Sequence, residues 1–377
     1  MKRILFISDL VGIGGGETSL LNTIISLKEN GYEVTVLTPI EGELTNILNE
    51  QKIKVHIRKD LFFQGKNLIR YVLTLFRVIA YLMKENYNII HSNSLAPCFS
   101  FGIASKSLKK KFFYTCHGQW FKFSFLRKLI LEKVCNSIIA VSRNVYNSLI
   151  SQGFKNSQIC EIYLGIELSK FKDANNGLKQ ELNIADSAFL IGVVARFQHI
   201  KGQDIYVKAI DRIINELQLS ICKDVHFIFV GDNTFNSSKD NDYKNQVLEY
   251  LEYKNLKQHI SLLGERKDIP YIMKSLDLLV VPSRNESFGM VIIEAMASQT
   301  AVIASKCDGP LEIIKDKETG ILFEVEDYKE LADKIILLIE NQEARNAIIK
   351  NAIEDVQERF SIETVINKYK ELYERGY

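Results

Sequence analysis

The sequence lacks most of what would mark several large classes of protein. Its 377 residues include six cysteines, with no Cys-x-x-Cys pair and no Cys/His cluster at zinc-ligand spacing. That excludes a disulfide framework and a zinc module, and fits reduced, buried thiols in a cytosolic protein. Net charge is almost absent: 48 Lys+Arg face 46 Asp+Glu, or +2 at pH 7. Such a balance argues against a dedicated nucleic-acid binder. No short-period repeat and no low-complexity tract is visible. Long apolar runs are missing too. Ile4-Leu5-Phe6-Ile7 ends at Asp9, too short for a signal-peptide core and suited to a buried first strand. Residues 68–83 are interrupted by Arg70 and Arg77, which share one helix face, so the stretch reads as an amphipathic helix and not a membrane span. The expected location is the cytoplasm, at most peripheral on the inner face of the plasma membrane.

What is present is alternation. Hydrophobic residues make up 46% and charged residues 25%, the ordinary globular mixture, and the length exceeds what one core serves. Strand-like runs at 4–8, 34–38, 89–91, 112–115 and 137–141 are separated by helical patterns, such as 17–30 closed by Gly31. A second series follows at 189–195, 225–230, 260–263, 278–281 and 301–304, and three helical patterns close the chain from 327 to 373. Strands alternating with helices imply parallel βαβ units, here two successive Rossmann-like units in an α/β chain. The polar stretch 170–183 reads as an interdomain linker. Ligands of such sheets sit beyond the carboxyl ends of strands, so the loops there hold the candidate chemistry.

Three of these loops stand out. Gly12-Ile13-Gly14-Gly15-Gly16-Glu17 joins the first strand to the first helix. It suits close approach of an anion, or is simply a tight turn. It is neither a dinucleotide fingerprint, which needs glycine where Glu17 stands, nor a P-loop, which needs Gly-Lys-Ser/Thr. In the second half, Arg196 ends a strand and Lys201-Gly202 precedes a helix. Two cations there would clamp a pyrophosphate, unless they are solvated surface charge. The third loop is the most informative: Pro282-Ser283-Arg284-Asn285-Glu286-Ser287-Phe288-Gly289, running into Met290-Val291-Ile292-Ile293-Glu294. Its two carboxylates flank a helix N-terminus. They suit the vicinal hydroxyls of a polyhydroxylated ligand, with loop amides meeting phosphate. Taken singly, Glu286 could be a cap and Glu294 an exposed helical charge.

Glu286 and Glu294, with Ser-Phe-Gly between and Ala295-Met296-Ala297 after, resemble the E-x7-E signature of the family 4 retaining glycosyltransferases of GT-B fold. Arg196/Lys201, Val230-Gly231-Asp232, Leu263-Gly264 and Gly309-Pro310-x-Glu312 follow in that family's order. Gly14-Gly15-Gly16-Glu17 and Cys116-His117-Gly118 match its first-domain segments. The resemblance implies two Rossmann-like domains facing each other across a cleft, an acceptor domain over 1–166 and a donor domain over 167–359. A C-terminal helix of about 360–377 would return to the first domain. It also implies roles. Arg196 and Lys201 would hold the donor diphosphate, Glu294 the ribose, and Glu286 the transferred sugar. Ser287, Phe288, Gly289, Met290 and Val291 would supply amides, and Gly15 and Gly16 would close over the phosphate from the opposite domain. His117 would sit by the anomeric centre, so the catalytic set is His117, Glu286, Arg196 and Lys201. The implied reaction moves a sugar, UDP-linked, to a glycan or lipid-linked glycan hydroxyl in cell-surface polysaccharide synthesis. No metal or other cofactor is expected, because the cations and helix amides neutralise the leaving phosphate. Asp240-Asn241-Asp242 is the one metal-like candidate and reads as a solvated loop and cap. A nucleotide-sugar epimerase of related architecture, or a non-catalytic sugar-binding protein, are the rival readings.

The near-zero total conceals a division. Residues 1–165 hold 21 Lys+Arg against 11 Asp+Glu, net +10, and the remainder is net −8. Within the basic part, residues 105–133 interleave lysines and arginines with aromatics, including Trp120 and Phe121, and residues 61–84 add an amphipathic stretch. That composition suits an anionic membrane surface, or core aromatics beside solvated lysines.

Overall fold

The computed structural model describes residues 2–63, 65, 67–118, 122–216, 225–233 and 238–375. Trp120, Phe121, Cys222, Asn236 and Ser237 lie outside the described residues. The chain divides into two compact units: residues up to Ile166 together with those from Ile362 onward, and Glu167–Ser361.

The first unit is built on a seven-stranded parallel sheet. Its strands are β1 (Arg3–Ile7), β2 (Glu33–Thr38), β3 (Lys54–Ile57), β4 (Ile89–Ser92), β5 (Lys111–Cys116), β6 (Ser137–Ala140) and β7 (Ile159–Glu161). Their order is β3-β2-β1-β4-β5-β6-β7, so the chain reverses direction of growth between β1 and β4. Helices cover both faces of such a sheet, which is why Ile4, Leu5, Phe6 and Ile7 are all buried in succession and show no alternation. The closing helix, Ile362–Glu374, completes this core. Ile362, Val365, Ile366, Tyr369, Leu372 and Tyr373 pack with Leu20, Ile24 and Phe113.

The second unit repeats the plan with six parallel strands. They are β8 (Phe189–Val194), β9 (Val225–Val230), β10 (Ile260–Leu262), β11 (Leu278–Val281), β12 (Ala301–Ser305) and β13 (Ile321–Phe323), in the order β10-β9-β8-β11-β12-β13. This is the doubly wound order, with its reversal between β8 and β11. The core joins Ile191, Val193, Phe227 and Phe229 to Ile205, Tyr206 and Leu331.

Three strands escape the sequence reading: β3, β7 and β13. Each lies at the edge of its sheet and has three or four residues, so it carries too little apolar signal. The expected linker at 170–183 is also corrected. It holds two short helices, Leu168–Lys172 and Leu178–Glu181, whose Phe171 and Leu178 are buried in the second unit. Two hydrophobic anchors outweighed the polar composition around them.

Candidate active site

In the second unit the loops after β8 and β11, the two strands on either side of the reversal, lie side by side. The loop after β8 carries Arg196 and a tight turn, His199–Lys201, before the helix Gln203–Asp211. Gly202 links turn and helix at φ +70°, and a Cβ there would stand 2.0 Å from the carbonyl oxygen of Pro282. Only glycine permits both that backbone and that approach. Gln203, fully buried, donates from Nε2 to the Arg196 carbonyl at 2.8 Å and holds the start of the loop.

The loop after β11 brings Glu286 against this turn. Lys201 Nζ donates to Glu286 Oε2 at 2.5 Å, both side chains being mostly buried. Glu286 is therefore neither a cap nor a solvated charge. Its backbone carbonyl accepts from the Gly309 amide at 2.7 Å, and a Cβ on Gly309 would lie 2.1 Å from the Phe288 oxygen. Gly309→Ala is accordingly expected to displace the Glu286–Phe288 turn, costing about 1–3 kcal/mol. A lowered melting temperature would show it.

Gly289, at φ +98°, starts the helix Met290–Ala297. That helix is apolar nearly all round, and Glu294 sits in it at 7% exposure among Ile292, Ile293, Ala295 and Met296. Burial pushes its carboxyl up to about 7. A buried carboxylate is costly unless hydrogen-bond donors meet it. Lys201 and Glu286 are thus brought into contact, Arg196 follows the end of β8, and Glu294 lies in the helix that the loop after β11 enters.

Asp240 takes another part. It lies in the first turn of the helix Ser238–Tyr253 and accepts from Gln198 Nε2 at 3.3 Å, while Asn241 accepts from Asn233. Among the described residues no group of His, Cys, Asp and Glu is placed to hold a metal ion.

In the first unit the glycine loop and His117 come together, also at the carboxyl edge. The helix Gly15–Glu29 begins with Gly14 as its cap, and Glu17 is buried in its first turn. The space beside Gly16 is filled by the His117 ring, 3.5 Å from where a Cβ would lie. His117 Nε2 bonds Asn93 Oδ1 at 2.8 Å, so Nε2 carries the proton and Nδ1 is left as the acceptor, buried and without a partner among the described residues. Burial pulls its pKa down to about 4, which keeps the ring neutral. His117 also lines a small cavity with Phe6, Leu20, Thr23, His91, Asn93, Thr115 and Tyr369 among its other walls. His91 there bridges Tyr373 of the closing helix, at 2.5 Å, and Thr115, at 2.7 Å. Asn93 and His91 carry no motif in the sequence; only their place at the end of β4 points to them.

The basic, aromatic stretch divides in two. Phe112, Phe113 and Tyr114 are core residues of β5. By contrast, Phe125 (78% exposed) and Leu126 open the helix Phe125–Val134 on the surface. The helix Leu68–Glu85 leaves Leu68 (73%), Ile69 and Phe76 exposed beside Arg70 and Arg77. Among the described residues no helix is long and apolar enough to cross a membrane.

Comparison with known proteins identifies the family and the fold. Residues 175–355 match the family described as "Glycosyl transferases group 1", and residues 13–170 match "Glycosyltransferase Family 4". An uncharacterised glycosyltransferase of Methanocaldococcus jannaschii is 28% identical over 96% of this chain and 95% of its own. The N,N'-diacetylbacillosaminyl-diphospho-undecaprenol alpha-1,3-N-acetylgalactosaminyltransferase of Campylobacter jejuni is 27% identical over 93% of each. Among solved structures, Anabaena HepE in complex with UDP-glucose superposes with a TM-score of 0.83 at 25% identity, covering 98% of this chain and 99% of that one. With both halves matched in order and both sheets of the same plan, the chain belongs to the family 4 glycosyltransferases, enzymes of GT-B fold.

Proposed function

We propose that this glycosyltransferase takes its sugar from a nucleoside-diphosphate donor, UDP-linked, and passes it with retention to a hydroxyl of a glycan or lipid-linked glycan, in cell-surface polysaccharide synthesis. The observation that carries the donor reading is the meeting of Lys201 and Glu286 between β8 and β11, with the buried Glu294 in the helix that follows. HepE was crystallised with UDP-glucose, and the Campylobacter relative acts on an undecaprenol-linked acceptor by its name. Both support the choice of substrate classes. Family membership over both halves favours transfer over the epimerase and the non-catalytic binding protein.

In this reading Arg196 and Lys201 face the diphosphate, and the amides of Ser287, Phe288, Gly289, Met290 and Val291 meet phosphate and sugar. Glu286 accepts from the sugar hydroxyls and Glu294 from the ribose hydroxyls. In the first unit, His117 is assigned to the transferred sugar, and Gly15 and Gly16 to phosphate. As the bond from the anomeric carbon to the phosphate oxygen breaks, negative charge grows on the phosphate, where two cations and the helix amides stabilise it. The acceptor oxygen bonds the anomeric carbon on the same face, and its proton passes to the departing phosphate. No metal enters these steps, so a chelator should leave turnover unchanged. Proton NMR of the product tests the reading: an α-linked product from an α-linked donor agrees with it, and inversion contradicts it.

The acceptor side is read as peripheral on an anionic bilayer. Exposed Leu68, Ile69, Phe76, Phe125 and Leu126 stand among exposed Arg70, Arg77, Arg127 and Lys133 in a unit of net positive charge. Each cation near such a surface contributes about 1 kcal/mol. The protein should float with phosphatidylglycerol vesicles at low salt, and Phe76→Ser with Phe125→Ser should abolish flotation without changing the melting temperature. No flotation of the wild type removes this part.

A further inference from the structure

Arg284 lies two residues before Glu286, and no feature of the sequence gave it a role. In the structure it reaches out of the loop after β11 and binds the turn after β8. Its backbone amide donates to the Ile200 carbonyl at 2.8 Å, and its Nη1 donates to the His199 carbonyl at 2.7 Å. Two of the three residues in the turn His199–Lys201 are therefore held by this single residue. The guanidinium is held in turn: Nη1 and Nη2 grip Asp204 in a fork, at 2.9 and 2.8 Å, and Nε donates to Glu326 at 2.7 Å. Asp204 sits in the first turn of the helix that follows Gly202, and Tyr243 donates to it at 2.6 Å. Burial opposes its ionisation, yet the Arg284 and Tyr243 bonds hold its carboxyl down at about 2. The fork is charged on both sides at any working pH.

We infer that Arg284 and Asp204 are a pair of positioning residues that fix where Lys201 Nζ stands relative to Glu286. The inference rests on reading this site as the donor site. The chain of bonds is short: Asp204 to Arg284, Arg284 to His199 and Ile200, then Lys201 as the next residue on one side and Glu286 two residues on along the other. A forked pair fixes both distance and orientation, which a lysine in place of Arg284 cannot do. Neither side chain need touch the donor. Their work is to keep a cation and a carboxylate, from loops about 85 residues apart in sequence, registered on the phosphate and the sugar.

The consequence separates chemistry from nucleotide recognition. Arg284→Lys and Asp204→Asn should leave the affinity for the nucleoside monophosphate near that of the wild type, because Glu294 and the helix amides are untouched. Turnover of the nucleotide sugar should fall by about 100-fold, the scale of an ångström misplacement, with a much smaller change in its KM. The double variant should cost no more than either single one, since the pair acts as a unit. The test uses the full chain and a panel of UDP-, GDP-, ADP- and dTDP-sugars with the matching monophosphates, and records the melting temperature of each variant. Should Asp204→Asn not fold, Arg284→Lys carries the comparison alone. Wild-type turnover in either folded variant overturns the inference. A parallel loss of monophosphate affinity, turnover and melting temperature also overturns it, as it marks a merely structural pair. A wild type that binds no member of the panel overturns the donor reading itself.

Discussion

Glu294→Gln is expected to make this protein more stable and far poorer at holding its donor. The carboxyl is buried in an apolar helix, and its pKa stands at about 7 against an ordinary 4.5. The folded state thus keeps a proton that the unfolded state releases between those two values. The sign follows: the group costs nothing below pH 4.5, and its cost grows as pH rises to 7, reaching about 3 kcal/mol. Glutamine removes that cost. Wild type and variant should melt together near pH 4.5, and the variant should melt several degrees higher at pH 8. A wild type as stable as the variant at pH 8 would contradict the cost of burying this carboxyl. Donor binding should move the other way. If Glu294 takes the ribose hydroxyls as proposed, losing its ionised acceptor should weaken the nucleotide sugar by on the order of 100-fold. For the wild type, affinity should decline as pH falls below 7, since only the carboxylate accepts both bonds. A nucleotide sugar is the right probe, because its diphosphate diester does not titrate in that window. The variant should show no such dependence.

The second large effect concerns the Lys201–Glu286 pair. Lys201 and Glu286 pair at 2.5 Å, so under the proposed function the cation assigned to phosphate is held by the carboxylate assigned to sugar. Under that function, donor binding would exchange one set of partners for the other. Lys201→Ala should cut transfer and donor hydrolysis by tenfold or more, in line with losing one charge-assisted contact of about 1.5–3 kcal/mol. Glu286→Gln is more telling. It should cut transfer as deeply, yet bind the bare nucleoside diphosphate more tightly than the wild type, because Lys201 no longer has to be released. Titration calorimetry with the diphosphate and a turnover assay, run side by side, would show this opposition. Equal losses in both would mean that the pair is a structural bond and not an exchange of partners.

Central strands were legible in the sequence because burial on both faces leaves an uninterrupted apolar run, as in Leu278–Val281. Since loops at the ends of such strands line a switch point, Arg196, Lys201 and Glu286 stand out from the chain's pattern alone. Glu294 carried a further signal: a helix apolar on every side, Val291 to Ala297, is a buried helix, and so is its one charged residue. Other features had no local signature. Edge strands such as β13 are too short to show a period. Phe171 and Leu178, enough to dock two helical turns, were lost in a polar composition. Arg284 and Asp204 are 80 residues apart and look like surface charges until the sheet order makes β8 and β11 neighbours. Likewise, the service of Tyr373 to His91 spans 282 positions and depends on the closing helix returning to the first unit's core. Pairings of this kind are products of topology, and sequence spacing does not record them.

Whether the second unit's two loops hold the diphosphate and sugar of a nucleotide-sugar donor is decided by one assay. It follows the release of nucleoside diphosphate from the same panel of nucleotide sugars, for the wild type and for the double variant Lys201→Ala/Glu294→Gln. Turnover of at least one donor by the wild type, with none by the folded double variant, is the expected result. A double variant that turns over donor at the wild-type rate would contradict that role for the two loops.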